Sequence, residues 1–214
     1  MPKTIIVSNR LPIKITRNDA DELVYLPSEG GLATGLGSIY KEGYNIWIGW
    51  PGLAITKSKE KDQICDRLHS ENMSPVFLTA SEIEDFYEGF SNESLWPNFH
   101  YFNQYAEYDE ELWKAYQKVN RKFAKAIEPY IEDGDTLWIH DYQLLLLPAM
   151  LREVNENLSI GFFLHIPFPS YESFRLIPWR RELLEGMMGA DFLGFHTYDD
   201  MRHFLSSVNR LAGI

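Results

Sequence analysis

The sequence has 214 residues, of which 45% are hydrophobic and 14% aromatic, so it is a globular chain with a substantial core. The formal net charge of -11 argues against a nucleic-acid duplex or an anionic membrane as a partner, because both require a basic face. The single cysteine, Cys65, excludes an internal disulfide and a Cys-based metal cluster. The N-terminal stretch MPKTIIVSNR lacks a long apolar signal core, and we expect a cytoplasmic protein.

Short apolar runs alternate along the chain with longer helical patterns. The predicted strands are 4–8, 45–50, 75–79, 136–140, 160–166 and 192–196. The predicted helices are 31–42, 59–71, 81–89, 107–130, 142–156, 180–189 and 198–210. Several strands are continuously apolar, as expected where both faces of a sheet are covered. The alternation predicts an α/β fold: a Rossmann-like open, mostly parallel sheet with helices on both faces.

One segment interrupts this alternation of strands and helices. Residues 11–27, LPIKITRNDADELVYLP, contain two alternating runs around RNDAD and predict a β-hairpin inserted after the first strand. The sequence shows no internal repeat and no low-complexity linker, so we expect one Rossmann-like domain over 1–214. The sequence stops at NRLAGI, shortly after the end of a predicted helix, at a point where a further strand would be natural.

Polar and aromatic side chains stand at the ends of the predicted strands, where open α/β sheets bind their ligands. These residues are Arg10, Trp50, His140, Asp141 and His165, the last within the fifth predicted strand. Asp141 also precedes a helical pattern and could be a helix N-cap. His165, between GFFL and IPFP, could equally be a satisfied core histidine. The convergence of several such groups at one edge favours a ligand site.

Three other features bear on the kind of ligand. Arg10 at a strand end suits bidentate capture of a phosphate or carboxylate, although it could be an ordinary surface residue. The glycine-rich stretch 29–37 could present backbone N–H groups to an anion, but it matches no nucleotide-binding motif. Tyr87 and Trp96 are either a platform for a sugar or part of an aromatic core. Nucleophile motifs and metal-ligand spacings are missing, so we expect no metal and no other cofactor.

Several blocks occur in an order that is specific to one family. They are VSNRLP, GGLATGL, WIGWPG, FYEGFSNESLWPNFHY, WIHDYQLLLLP, GFFLHIPFPS and LLEGMMGADFLGFHTYDDMRHFL. Over nearly its entire length the chain resembles the trehalose-6-phosphate synthases, retaining glycosyltransferases with two Rossmann domains (GT-B). These enzymes transfer glucose from UDP-glucose to glucose 6-phosphate, giving α,α-trehalose 6-phosphate and UDP. The resemblance implies that this chain is the N-terminal, acceptor-binding half and lacks the C-terminal nucleotide-sugar domain.

The resemblance also implies roles for acceptor-side residues. Arg10 and Tyr87 would contact the phosphate of glucose 6-phosphate. Trp50 and Trp96 would line its sugar ring. Asp141 would hydrogen-bond acceptor hydroxyls and is one of two predicted catalytic residues.

Donor-side residues are implied in the same way. Gly30 and Gly31 would let their loop approach the diphosphate of UDP-glucose closely, where a Cβ would clash. His165 would contact the transferred glucose and is the second predicted catalytic residue. Ile166, together with Trp96, would select the α-anomer.

In this family the donor phosphate takes the proton of the incoming hydroxyl, so the protein supplies positioning and electrostatics and no nucleophile. The chain alone is expected to bind glucose 6-phosphate weakly and to lack turnover. A homo-oligomer is compatible with the sequence. Two alternatives stay open: a noncatalytic sugar-phosphate-binding regulatory relative, and a same-fold synthase with another acceptor such as glycerol 3-phosphate.

Overall fold

The computed structural model describes residues 2–28, 31, 35–36 and 45–212. Its strands are β1 Thr4–Arg10, β2 Ile13–Arg17, β3 Leu23–Pro27, β4 Ile46–Trp50, β5 Met73–Pro75, β6 Thr136–His140, β7 Ser159–Phe163 and β8 Phe192–Gly194. Six of them form a sheet in the order β5-β4-β1-β6-β7-β8. All the neighbours in this sheet pair in parallel. The predicted α/β fold with a parallel sheet is confirmed.

Helices connect the strands of the sheet. They are α1 Ser58–His69, α2 Ala80–Glu82, α3 Trp96–Phe99, α4 Glu110–Ile127, α5 Leu147–Val154, α6 Tyr171–Phe174, α7 Arg180–Met187 and α8 Tyr198–Ala212. A π-helix, Ile83–Leu95, joins α2 to α3, and 3₁₀ turns occupy Asn103–Tyr105, Glu128–Tyr130 and Tyr142–Leu144. Among the residues described, no helix is both long and apolar enough to cross a membrane.

The central strand β1 is buried on both faces, because its side chains alternate between two apolar clusters. Ile5 and Val7 belong to the larger cluster, which α4, α5, α7 and α8 complete. Ile6 belongs to a smaller cluster with Ile15 of the hairpin and Leu68 of α1. This is the arrangement that continuously apolar strands predict, with helices on both faces of the sheet.

The predicted hairpin is present as the antiparallel pair β2 and β3. An ion pair of 2.8 Å between Arg17 and Glu60 ties it to α1. A second contact places the Arg67 guanidinium 3.8 Å from the centroid of the Tyr25 ring. The hairpin therefore covers one face of the sheet beside β1 and β4.

Several predicted boundaries were wrong. The strand predicted at 75–79 is β5, which ends at Pro75; a proline has no N–H to continue the ladder. β7 ends at Phe163, so His165 lies in the loop after the strand and not within it. The helix predicted at 142–156 is divided, because α5 begins at Leu147 and carries Pro148 in its first turn. The helix predicted at 31–42 lies outside the described residues except at positions 31, 35 and 36.

Candidate functional site

The order of the strands determines where a ligand can bind. β1 continues outward on one side through β4 and on the other through β6, so the chain reverses its direction of winding between β1 and β6. In open parallel sheets this reversal leaves a crevice at the carboxyl ends of the two strands. Arg10 is the last residue of β1, and Asp141 directly follows β6.

Arg10 lies between two aromatic rings. Its guanidinium carbon is 4.5 Å from the centroid of the Trp50 ring and 5.1 Å from that of Tyr87. The two rings are 5.9 Å apart and inclined at 58°. The Nε of Arg10 is buried without a hydrogen-bond partner, and no carboxylate of the described chain forms an ion pair with Arg10. A partly buried guanidinium whose Nε donor is unused is suited to bind an anion.

The close approach of β4 to the end of β1 depends on Gly49. A Cβ at this position would lie 2.8 Å from the carbonyl oxygen of Ser8 and 3.0 Å from the backbone nitrogen of Leu11. That nitrogen donates to the carbonyl of Trp50 at 3.0 Å. Glycine therefore allows the backbone contacts that place Arg10 beside Trp50.

Tyr87 belongs to the π-helix, a wide type of turn that is rare and often found at functional sites. The π-helix is tied to the loop after β6, since the Tyr142 hydroxyl donates to Oδ1 of Asn92 at 2.9 Å. Burial raises the pKa of Tyr142, and the neighbouring Asp141 and Tyr87 raise it further. Tyr142 thus connects the Arg10 side of the site with Asp141.

Asp141 has a strained backbone, with φ 77° and ψ 167°, a region that residues with a Cβ rarely adopt. Its Oδ1 accepts hydrogen bonds from the backbone N–H groups of Tyr142 at 2.9 Å and His165 at 3.3 Å. The carboxylate therefore caps the 3₁₀ turn that follows and also holds the loop after β7. Burial raises the pKa of Asp141 to about 6, against the opposing effect of the two N–H donors and His196.

Three histidines lie at or just beyond the carboxyl ends of three adjacent strands. His140 is buried, and its Nδ1 lies 3.0 Å from Nε2 of His165. Burial lowers the pKa of His140 to about 3 and that of His165 to about 4, so both rings are neutral at pH 7. His196 follows β8, with its ring centroid 5.8 Å from that of His165. No group of three metal-ligating side chains in the described residues is arranged to hold a metal ion.

A cavity of about 670 Å³ opens beside these histidines, within the range of small-molecule sites. It is lined by Gly31, Gly35, Leu36, Trp138, His140, Asp141, Phe163, His165 and His196. Of the two glycines predicted to face a donor diphosphate, Gly31 is in this lining, whereas Gly30 lies outside the described residues.

Trp96 and Ile166 occupy separate positions. Trp96 begins α3, is 39% exposed and stacks on His100 with a centroid distance of 4.1 Å. Among the described residues it does not stack on Tyr87, so the two rings do not form one continuous platform. Ile166 is partly buried and packs against the larger apolar cluster.

The predicted residues thus fall into two connected groups, Arg10 with Trp50 and Tyr87, and Asp141 with His165. Sequence reasoning missed Tyr142, which connects the groups, and His196, which lines the cavity. His196 could have been found from its position, since His140, His165 and His196 each end a predicted strand or lie near its end.

Comparisons with known proteins agree with this geometry. Residues 2–214 match glycosyltransferase family 20. A UDP-forming α,α-trehalose-phosphate synthase of Aspergillus niger is 48% identical, over 99% of this chain and 42% of that protein. The corresponding protein of Candida albicans is 46% identical, over 98% of this chain and 45% of that protein. The chain therefore spans less than half the length of these relatives.

Solved structures of trehalose-phosphate synthases also match this chain, again over less than half of their length. A UDP-forming α,α-trehalose-phosphate synthase from Burkholderia xenovorans, crystallised with glucose-6-phosphate, matches with a TM-score of 0.78 at 31% identity, over 97% of this chain and 43% of that one. A trehalose-6-phosphate structure from E. coli, bound with UDP-2-fluoro glucose, matches with a TM-score of 0.79 at 32% identity, over 98% of this chain and 43% of that one.

Proposed function

Because the chain belongs to glycosyltransferase family 20, we propose that it is the N-terminal, acceptor-binding domain of a retaining α,α-trehalose-phosphate synthase. The enzyme transfers glucose from UDP-glucose to glucose 6-phosphate and releases UDP. The remainder of a longer protein supplies most of the nucleotide contacts. Two phosphorylated metabolites as substrates, and a chain with one cysteine, favour a cytoplasmic setting.

The observation that carries this proposal is the environment of Arg10. A guanidinium between two aromatic rings, with a buried Nε that has no partner, is a cation prepared for an anion from outside the described chain. The phosphate of glucose 6-phosphate supplies that anion, and the Tyr87 hydroxyl adds a second contact. Trp50 and Trp96 bind the apolar face of the sugar, each through its indole ring.

Asp141 contributes charge and position. Because its pKa is about 6, the carboxyl is mostly ionised at pH 7 and accepts hydrogen bonds from the acceptor hydroxyls. Both of its backbone donors bind Oδ1, which leaves Oδ2 for the substrate. The strained backbone and these two bonds hold the carboxylate in one orientation, which lowers the entropic cost of aligning the incoming hydroxyl.

The donor sugar binds across the cavity. Gly30 and Gly31 admit the diphosphate, His165 contacts the transferred glucose, and Ile166 with Trp96 shapes the space for the α-anomer. The donor phosphate takes the proton of the acceptor hydroxyl as the glycosidic bond breaks on the same face. The residues of this chain orient the two sugars and exclude water.

The test uses the full-length protein that contains this chain, supplied with UDP-glucose and glucose 6-phosphate. We expect UDP release in step with formation of a disaccharide phosphate, whose two anomeric protons show the α,α linkage by NMR. The isolated chain is expected to bind glucose 6-phosphate weakly and to release no UDP.

Two results would contradict the proposal in different ways. Binding of glucose 6-phosphate without any UDP release by the full-length protein would indicate a regulatory relative. Preferred transfer to glycerol 3-phosphate would keep the chemistry and replace the acceptor.

A further inference from the structure

One hydrogen bond joins two neutral histidines at the edge of the cavity. Both residues line the cavity, but His140 is only 1% exposed, whereas His165 is partly exposed. Nδ1 of His140 and Nε2 of His165 lie 3.0 Å apart, so one nitrogen carries the shared proton and the other accepts it. Each neutral imidazole has a single N–H. Either ring could be the donor, and the choice determines which nitrogen of His165 carries its proton.

The other nitrogen of His140 decides between the two arrangements. Its Nε2 is buried and has no hydrogen-bond partner in the structure. If His165 donated, His140 would carry its own proton on this Nε2 and would bury an unpaired N–H. If His140 donates from Nδ1, the buried Nε2 is a bare acceptor. Buried N–H groups without a partner are rarer in proteins than acceptors that lack one, so the second arrangement is favoured.

We propose that His140 is a positioning residue: its Nδ1–H donates to Nε2 of His165 and fixes the proton of His165 on Nδ1, as a hydrogen-bond donor to the ligand in the cavity. Within the described part of the chain the His165 ring makes no other hydrogen bond, so Nδ1 is left for that ligand. The identity of the ligand rests on the proposed function, in which His165 contacts the transferred glucose. The tautomer itself does not.

A chemical consequence follows for the reaction. In this tautomer the only free lone pair of the His165 ring is on Nε2, and it accepts the hydrogen bond from His140. Its remaining nitrogen carries a proton and can only donate. His165 therefore cannot act as the general base that removes the proton from the acceptor hydroxyl. Its contribution is a fixed N–H directed at an oxygen of the sugar, a hydroxyl or the ring oxygen.

Two variants of His140 separate the hydrogen bond from simple packing. In His140→Asn the side-chain amide nitrogen takes the place of Nδ1 and keeps the donor. In His140→Leu the side chain fills similar space and cannot donate. His69→Leu is the matched control, because His69 ends α1 and bonds to the Tyr130 hydroxyl at 3.0 Å, in a different cavity beside Lys3.

The decisive measurement is ¹⁵N NMR of the full-length protein labelled in histidine, since protonated and bare ring nitrogens resonate far apart. We expect His165 to be protonated on Nδ1 in the wild type, in His140→Asn and in His69→Leu. In His140→Leu we expect both tautomers of His165. A wild-type His165 protonated on Nε2 would overturn the proposal, and so would an unchanged His165 tautomer in a folded His140→Leu. If that variant does not fold, the wild type and His140→Asn decide.

Kinetics give the second readout. For UDP-glucose we expect kcat/KM to fall about tenfold in His140→Leu, equivalent to ~1.4 kcal/mol, and to be retained in His140→Asn and His69→Leu. Equal losses in His140→Asn and His140→Leu would count against the positioning role. A wild-type protein with no transfer from UDP-glucose contradicts the proposed function instead, and the NMR result still decides the tautomer.

Discussion

The Arg10 guanidinium carbon lies 5.1 Å from the centroid of the Tyr87 ring, although the two residues belong to distant segments of the chain. The contact forms because β1 ends at Arg10 and the π-helix passes the same edge of the sheet. Tyr142 extends this contact to Asp141. A cation, a phenol and a carboxylate therefore lie at the carboxyl edge of the sheet.

Arg10→Lys should weaken glucose 6-phosphate binding by about ten- to a hundredfold, since a hydrogen bond to a charged group is worth ~1.5–3 kcal/mol. Lysine keeps the charge but loses the planar fork and its stacking between Trp50 and Tyr87. Calorimetry with glucose 6-phosphate and with glucose provides the measurement. Binding of glucose, which has no phosphate, should be unchanged.

The control for this change is Arg17→Lys in the hairpin, where the arginine pairs with Glu60 at 2.8 Å. It should leave the affinity for glucose 6-phosphate unaltered. Equal affinities of wild type and Arg10→Lys for glucose 6-phosphate would remove Arg10 from the phosphate site.

Asp141→Asn should raise stability at pH 7 while lowering activity. Burial raises the carboxyl pKa to about 6, so the folded state binds this proton more tightly than the unfolded chain does. The wild type therefore loses stability as pH rises from about 4 to 6, by up to about 3 kcal/mol, and the amide avoids this loss. Thermal unfolding between pH 4 and 8 measures the difference, which should vanish at the acid end.

The same substitution should reduce kcat/KM by about ten- to a hundredfold, because the acceptor hydroxyls lose a charged partner. An Asp141→Asn protein with wild-type activity would show that the carboxylate only caps its turn. A variant that is both less stable and inactive would show instead that its charge is satisfied within the fold.

Trp96→Ala should weaken acceptor binding about tenfold and change the free energy of unfolding by less than about 1 kcal/mol. The indole is 39% exposed, and its main contact is the stacked His100, so little core packing is lost. Tyr105→Ala, at a residue 69% exposed, is the control and should affect neither quantity. A large loss of stability in Trp96→Ala without a loss of binding would assign Trp96 to packing alone.

His140 and His165 should lower protein stability in acid, against the opposite contribution of Asp141 in the same pH range. Burial lowers the folded pKa values to about 3 and about 4, below the ordinary value of 6.5. Below pH 6.5 the unfolded chain takes up protons that the folded state refuses, so stability declines toward the folded pKa values. Each group contributes a slope of up to about 1.4 kcal/mol per pH unit. In His140→Leu, denaturant titrations from pH 4 to 7 should show a shallower slope; an identical slope would contradict the burial of a neutral His140.

Gly49→Ala should destabilise the protein by about 1–3 kcal/mol, because the added Cβ meets the backbone of β1. Its nearest atom, the carbonyl oxygen of Ser8, would be only 2.8 Å away. Gly161→Ala on β7 is the matched control, since the nearest atom to its Cβ would be 3.7 Å away. Urea unfolding of both variants measures the effect, and equal stabilities would contradict the tight packing of β4 against β1.

The sequence alone determined the class of fold and the hairpin, and it predicted the edge of the sheet to which the candidate site residues belong. These follow from local periodicity and composition, because a strand buried on both faces must be apolar throughout. Boundaries were less well determined: β5 ends at Pro75, the first residue of the predicted strand, and the wide turns that hold Tyr87 leave no periodic signal.

Only the tertiary structure decided which polar groups share a contact. The sequence placed Asp141 equally well as a cap or as a ligand-binding carboxylate; the structure shows that its Oδ1 caps a turn and holds the His165 loop together. It also decided the separation of Trp96 from Tyr87 and the pairing of His140 with His165. Such contacts join residues far apart in the chain, and their distances depend on strand order and helix packing, which local residue patterns do not encode.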